Sequence, residues 1–237
     1  MIKDGILQVK EICDTPVLID LIPKENRWAR PGLRMVPTSK TIHETDNLAH
    51  SADARMHTRY VDNTKQYVSW HFTVDDSIII QELPINENAW HAGDGPSGKG
   101  NRTSIAIEIC VNDGGDFEKA KENAIKLIKF LDKYLPQAEM NWQHNHWNGK
   151  NCPKRIRKSG WKNFLDKVEA FELEQCDTYP VPDWSLESWK WAVAIGLNDG
   201  IVQNPFEIQN VKMFHSYDKY IRSVIRDEIK KYMEQNL

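Results

Sequence analysis

The sequence predicts an α/β fold of the α+β kind: a mixed central sheet flanked by helices, followed by a small, mainly helical C-terminal domain. Three observations carry this reading. Strand-like and helix-like segments are interspersed up to about residue 173, the pattern of a sheet covered by helices. Ser104-Ile105-Ala106-Ile107-Glu108-Ile109-Cys110-Val111 is an apolar run suited to a strand buried on both faces. The composition then changes over residues 174–183, where two prolines and several polar residues read as a short, stiff linker.

Taken in order, residues 1–35 begin irregularly, with a strand-like Val17-Leu18-Ile19. Val36 to His43 reads as a strand, Ala49 to Val61 as a helix, and Val68 to Val74 alternates like a strand. Asp75-Asp76 signals a turn, and Ser77 to Glu82 follows as the second strand of a hairpin. Trp90-His91-Ala92-Gly93-Asp94-Gly95 opens a Gly-rich loop before the central strand. Phe117 to Tyr134 has helical spacing and stops at Pro136, and Gly160 to Leu173 closes the first domain as a helix. Residues 1–175 are therefore expected to form one domain, 176–183 the linker and 184–237 a second, small domain. In the latter, Ser185 can cap a Trp-rich helix and Tyr217 to Met233 forms another.

At 237 residues, 40% hydrophobic and 27% charged, the chain is composed like an ordinary soluble globular protein. Its net charge of −3 leaves no broad basic field for nucleic acid or an anionic membrane. Four cysteines have no paired spacing that would mark a disulfide framework. Met1-Ile2-Lys3-Asp4-Gly5 lacks the basic and apolar stretches of a signal peptide, so a cytosolic origin is expected.

The most informative segment is Gln143-His144-Asn145-His146-Trp147-Asn148-Gly149-Lys150-Asn151-Cys152-Pro153. A thiolate and an imidazole offer a two-point grip on Zn²⁺, which favours N and S ligands and in catalytic sites takes three from the protein. Thr41-Ile42-His43-Glu44-Thr45 offers a distant third ligand in His43. Seven of the eight histidines lie before residue 150, a clustering that favours a shared site over scattered surface residues. Glu108, the one charge in the central apolar run, needs a partner, a metal or a shifted pKa. A packed or ion-paired role for each of these residues is the competing reading.

These residues resemble the zinc-dependent N-acetylmuramoyl-L-alanine amidases of the type shared by bacteriophage endolysins, T7 lysozyme and peptidoglycan recognition proteins. The likeness covers roughly residues 20–172. It rests on Thr41-Ile42-His43-Glu44-Thr45, Val68-Ser69-Trp70-His71-Phe72, Asn101 with Ser104 to Glu108, and His144 through Gly149-Lys150-Asn151-Cys152-Pro153. The resemblance implies Zn²⁺ on His43, His144 and Cys152, Glu108 as general acid and base, and Lys150 as donor to the developing oxyanion. It implies a substrate groove for which Trp70, His71, Trp90, His91 and Arg102 are candidates. Two departures stand out: Trp70 occupies a position where some members have tyrosine, and position 146, often acidic in relatives, is histidine.

The Trp-rich segment from Trp184 and its Gly-Leu-Asn-Asp-Gly turn resemble S-layer-homology-like repeats and the wall-binding tails of clostridial phage lysins. Trp184 and Trp191 are the candidate wall-binding residues. A helical appendage that pairs two chains into a homodimer is the competing role. The resemblance therefore implies a phage endolysin that acts on bacterial peptidoglycan. It would accumulate in the host cytoplasm and reach the wall through a membrane pore. A non-catalytic peptidoglycan-binding protein of the same fold, or a thiol hydrolase pairing Cys152 with His144 or His146, are the alternatives.

Overall fold

Two tight hairpins open the chain. Asp4 and Gly5 take φ of 52° and 80°, and Cys13 and Asp14 take 48° and 62°. Paired positive φ is the geometry that closes two-residue antiparallel turns. The first joins β1 (Ile2–Lys3) to β2 (Ile6–Leu7), and the second joins β3 (Glu11–Ile12) to β4 (Thr15–Ile19). The expected irregular start is thus two hairpins. Cys13 is disulfide-bonded, a pairing its spacing does not announce, while Cys110 and Cys152 are buried free thiols. The computed structural model describes residues 2–173, so the linker, Trp184, Trp191 and the two C-terminal helices read from the sequence lie outside the described residues.

The remaining elements are β5 (Ser39–Glu44), α1 (Ala54–Asn63), β6 (Phe72–Val74), β7 (Ile79–Gln81), α2 (Lys99–Thr103), β8 (Ser104–Ile109), α3 (Phe117–Tyr134), β9 (Met140–Gln143), α4 (Asn145–Asn148), α5 (Lys154–Ser159) and α6 (Trp161–Ala170). Seven strands form one mixed sheet in the order β3-β4-β7-β6-β8-β5-β9. The hairpins β3–β4 and β6–β7 are antiparallel, and β4–β7, β6–β8, β8–β5 and β5–β9 are parallel. The apolar run that predicts a central strand is β8, held between β6 and β5.

Alternation along β5 and β8 divides the two faces. Ile42, Ile105, Ile107 and Ile109 pack in the main core with α3 and α6. On the same face Lys40 is wholly buried, its ammonium donating to the Asp132 carboxylate and the Ala138 carbonyl. Ala106 points the other way, into a smaller cluster with Ala29, Trp70, Leu83 and Ala89. Helix ends follow their caps. Asp53 accepts from the Met56 N–H at 2.7 Å, so α1 starts later than periodicity alone suggests. Asp116 does the same for Lys119 at the start of α3. The predicted closing helix is α6, which starts after Gly160 at φ 103°, and the short α5 before it is not read from the sequence.

The predicted strand Val68–Val74 is regular only from Phe72, because the segment before it bonds to loops rather than to a ladder. Ser69 pairs with Trp90, and His71 spans three segments. The Ala106 N–H donates to His71 Nδ1 at 2.9 Å, and Nε2 donates to the Glu87 carbonyl at 2.9 Å. Both nitrogens are occupied by neutral-ring chemistry, and burial pulls the His71 pKa from 6.5 down to about 4. A histidine held neutral when folded contributes stability that is fully present above its unfolded value and is lost as pH falls through the folded one. We expect unfolding free energy to decline between about pH 6.5 and pH 4, with up to about 3 kcal/mol of the loss due to His71. Denaturant titrations across that range should show a shallower decline for His71→Gln, although the variant starts less stable at pH 7. An equal decline in both proteins would remove His71 as the source.

Candidate active site

The site forms on the sheet face opposite α3. Parallel register places His43 of β5 directly against Glu108 of β8. The next parallel neighbour, β9, delivers His144 at its end, and the His144 N–H still reaches the Ile42 carbonyl at 3.3 Å. From His144 the chain makes the single turn of α4 and reverses at Gly149, whose φ of 80° suits glycine. Asn145 fixes the return: its Nδ2 donates to the Gly149 and Lys150 carbonyls at 2.7 and 2.9 Å, and its N–H to the Cys152 carbonyl at 3.0 Å. That out-and-back loop explains why eight residues of separation bring Cys152 to His144.

A second hold comes from Glu44, which the sequence reading passes over as a mere neighbour of His43. Its carboxylate accepts the backbone N–H groups of Arg155 and Ile156 at 2.9 and 2.8 Å, capping α5 directly after Cys152. The Glu44 N–H also donates to Cys152 Sγ at 3.5 Å. Burial raises the Glu44 pKa, and the two N–H groups oppose the rise.

His43, His144 and Cys152 are all buried, and one donor atom from each lies within 4.8 Å of the others. Among the described residues, His144 makes no hydrogen bond of normal geometry through either ring nitrogen. Cys152 lies 4.0 Å from His43 Nδ1, and burial pushes its thiol up to about 12. Two imidazoles and a thiol, enclosed and otherwise poorly satisfied, are the donor set that suits Zn²⁺.

His43 is oriented from behind. The Gly100 carbonyl can only accept, so His91 donates to it through Nε2 at 3.0 Å. Burial holds the His91 pKa at about 3, so its Nδ1 is an acceptor, and His43 Nε2 lies 3.0 Å from it. His43 therefore donates through Nε2 and keeps its Nδ1 lone pair facing Cys152 and Glu108. The loop carrying His91 is itself fixed by Asn101, whose Oδ1 accepts the His91 and Ala92 N–H groups at 2.8 and 2.9 Å. His91, a groove candidate by sequence, is placed by its geometry as a support for His43.

Glu108 Oε1 lies 3.7 Å from His43 Nδ1, and Oε2 has no hydrogen-bond partner among the described residues. Burial raises the Glu108 pKa to about 8, opposed by the charge of Lys150. Burial lowers the His144 pKa to about 4, helped by the charge of the exposed Lys150. Trp70 is buried in the smaller core and donates to Thr73 Oγ1 at 2.6 Å. Like His71 it does not reach an open surface. Trp90 is half-buried and flanks the His91 loop, and Arg102 is partly exposed with Nη2 3.4 Å from the Arg34 carbonyl. His146 is exposed and stacks on Trp142 at 4.0 Å, facing away from a ligand role.

Known proteins resemble this chain over the region that holds these residues. Residues 34–155 match the pattern of a family described as N-acetylmuramoyl-L-alanine amidase. The chain is 48% identical over 168 residues to the N-acetylmuramoyl-L-alanine amidase CwlH of Bacillus subtilis (strain 168), covering 69% of this chain and 66% of that protein. It is 50% identical over 160 residues to the amidase XlyA of the same organism, covering 63% of this chain and 52% of that one. It thus spans between about half and two thirds of the length of these relatives. The solved catalytic domain of XlyA aligns with a TM-score of 0.61 at 46% identity, over 65% of this chain and 99% of that domain.

The support given by His91 is open to measurement. Removing such an outer partner of a metal ligand typically costs about 10- to 100-fold in metal affinity. His91→Leu should weaken Zn²⁺ retention by about that factor in competition with a chromophoric chelator, whereas His91→Asn, which can still accept from His43 Nε2, should keep most of it. Equal affinities for the two variants would mean that His91 does not orient His43.

Proposed function

We infer that this chain, which belongs to the N-acetylmuramoyl-L-alanine amidase family, acts as a phage-type endolysin that hydrolyses the amide between N-acetylmuramic acid and L-alanine in bacterial peptidoglycan. The observation that carries the inference is a buried His, His and Cys donor set with a carboxylate oxygen, Glu108 Oε2, left unpartnered beside it. A Zn²⁺ ion on His43, His144 and Cys152 would supply Lewis acidity toward a carbonyl oxygen and toward water.

The chain's own groups account for the proton traffic. As a water oxygen bonds to the lactyl carbonyl carbon, its proton passes to Glu108 Oε2, which has no competing hydrogen bond. When the carbon–nitrogen bond breaks, Glu108 returns that proton to the alanine nitrogen, leaving a carboxylate and a free amine. The Glu108 carboxyl must be ionised to begin; burial holds its pKa up at about 8 even against the charge of Lys150, and a cation held by the neighbouring His43, His144 and Cys152 would lower it further. Lys150, exposed and able to swing over the site, donates to the carbonyl oxygen as charge develops there. A thiol mechanism is disfavoured, because burial holds the Cys152 proton in place at neutral pH unless a cation displaces it. A purely binding role leaves the orphaned Glu108 oxygen without a purpose.

The decisive measurement is product identity on purified walls together with metal content. New alanine amino termini with intact glycan strands are expected, and new reducing ends would overturn the reading. Glu108→Gln should retain Zn²⁺ and its fold while turnover falls by roughly 10²–10⁴-fold, the range for lost acid–base help. Cys152→Ser should lose both metal and lysis. Activity that survives prolonged chelation with no metal bound would sink the zinc assignment.

For residues 184–237 we propose a wall-targeting domain in which Trp184 and Trp191 contact the wall, with release to the wall through a pore made by another protein. Tethering raises the local concentration of a catalyst on an insoluble substrate without altering its active centre. Residues 1–175 alone should therefore cleave soluble muropeptides at the full-length rate yet lyse whole cells far more slowly. If truncation instead dissociates a dimer and leaves lysis intact, the tail is an assembly element.

A further inference from the structure

Three aromatic rings that the described cores do not absorb stand together on the sheet face that carries the active site. Trp28 is 44% exposed and Tyr67 is 68% exposed, with ring centroids 4.9 Å apart. Trp90 continues the row, 6.3 Å from Tyr67 and nearly perpendicular to it. Each ring is the chain neighbour of a residue anchored inward: Ala29, Val68 and Ala89 all pack in the cluster that contains Trp70 and Ala106. Ala106 leaves β8 on the same side as Glu108, two residues on.

The backbone holds these rings in place. The Ser69 N–H donates to the Trp90 carbonyl and the Trp90 N–H to Ser69 Oγ, both at 3.0 Å, which joins the Tyr67 and Trp90 segments. Asn26 Nδ2 lies 3.0–3.2 Å from the Val61, Asp62 and Thr64 carbonyls, tying the Trp28 loop to the end of α1. Trp90 directly precedes His91, whose ring touches His43. The row therefore starts one residue from the innermost support of the site and runs outward from it.

We propose that Trp28, Tyr67 and Trp90 form a saccharide-stacking platform that holds the glycan strand next to the cleaved bond. This rests on the amidase reading, since the bond cut there joins a polymeric glycan to a peptide. One side of the scissile bond is thus a chain of pyranoses, whose C–H faces lie flat on aromatic rings, whereas a stem peptide brings charges that uncharged ring faces do not pair. Trp28 and Tyr67 are exposed and Trp90 is half-buried beside them with its indole nitrogen enclosed, and with the small inward neighbours Ala29 and Ala89 fully buried the rings offer such stacking with little ordering cost on binding.

The test compares full-length wild type with Trp28→Ala and Tyr67→Ala. Two soluble substrates carry the same peptide, one on a single muramic acid and one on a glycan of several disaccharides. Loss of one ring should raise KM for the long substrate by about three- to tenfold with kcat unchanged, the scale of one aromatic contact. KM for the single-sugar substrate should stay the same. Inhibition by peptide-free glycan should weaken by the same factor, and Trp28→Phe should restore most of both effects. The proposal fails if KM for the two substrates moves together or not at all. It also fails if inhibition by free stem peptide weakens in place of inhibition by glycan, which would make the platform a peptide subsite. If the wild type released no alanine amine, the reaction assignment would fall. The platform would then stand or fall on whether peptide-free glycan binds the wild type more tightly than the Trp28→Ala, Tyr67→Ala double variant.

Discussion

The site depends on one buried carboxylate that does no chemistry. Glu44 closes β5 and caps α5, so a single residue joins the strand that carries His43 to the helix that begins after Cys152. Without that cap the Ile156 N–H would be buried without a partner, a cost on the order of 1–3 kcal/mol, and the part-buried Arg155 N–H would lose its acceptor. Cys152 would also lose its fixed distance from β5, because the rest of its approach is the short loop folded on Asn145. Candidate ligands spread over more than a hundred residues need such ties, and here the tie lies next in sequence to one of them, His43. The surrounding hydrogen bonds elaborate the same constraint. His91 fixes which nitrogen of His43 faces inward, and Asn101 fixes His91.

A protein core rarely tolerates so many unsatisfied polar atoms in one place. Among the described residues, both nitrogens of His144 and one oxygen of Glu108 are buried without a hydrogen bond of normal geometry, and the Cys152 thiol is enclosed. Groups of this kind destabilise a fold unless something outside the chain satisfies them. Their convergence on one small volume is the physical reason to read the cluster as a binding centre. It also predicts the direction of linkage: whatever binds here stabilises the folded chain by mass action. His71, similarly buried, has both of its ring nitrogens paired and needs nothing further, which is why its role is structural despite lying close to the site.

Some of this was legible in the sequence and some was not, for identifiable reasons. The central strand could be read because β8 is buried on both faces, so its apolar run is continuous. The His144-to-Cys152 segment could be read because its residue types are chemically distinctive even though their spacing matches no regular element. Trp70 and His71 were harder. A strand sequence does not say which loops will cover it, and here the loop at Glu87–Trp90 bonds to their segment and closes it off from solvent. The opening hairpins were missed because each strand is only two residues long, too short for periodicity, although Asp4-Gly5 is a recognisable turn pair. Glu44 could have been found from its position, a charge at the end of a buried strand, but its partners are backbone groups that no sequence pattern announces. Trp28 and Tyr67 carried no signal at all, since an isolated exposed aromatic is ordinary and only the fold places them side by side.

What unifies these findings is parity along two strands. On β5, residues 40, 42 and 44 face the helices and hold the fold, through Lys40 on Asp132, Ile42 in the core and Glu44 on α5. Residues 41 and 43 face the other way: Thr41 accepts the Trp147 indole N–H at 2.9 Å and meets Ser104 Oγ at 2.5 Å, bracing the loop that follows His144, and His43 is a ligand candidate. On β8 the odd positions 105, 107 and 109 are core, while 104, 106 and 108 face the other way, where Ser104 meets Thr41, Ala106 packs in the smaller cluster and Glu108 faces His43. A parallel pair in matched register puts the functional positions of both strands on one face and the packing positions on the other. The sheet can therefore be covered by α3 and α6 on one side, while on the other α1 covers β6 and β7 and the ends of β5 and β8 are left for chemistry, with the row of rings at Trp28, Tyr67 and Trp90 beyond the cluster that α1 packs into. A one-residue slip between β5 and β8 would exchange the two roles entirely, which is why the hydrophobic parity of Ile42, Ile105 and Ile107 protects the active site as firmly as any contact within it.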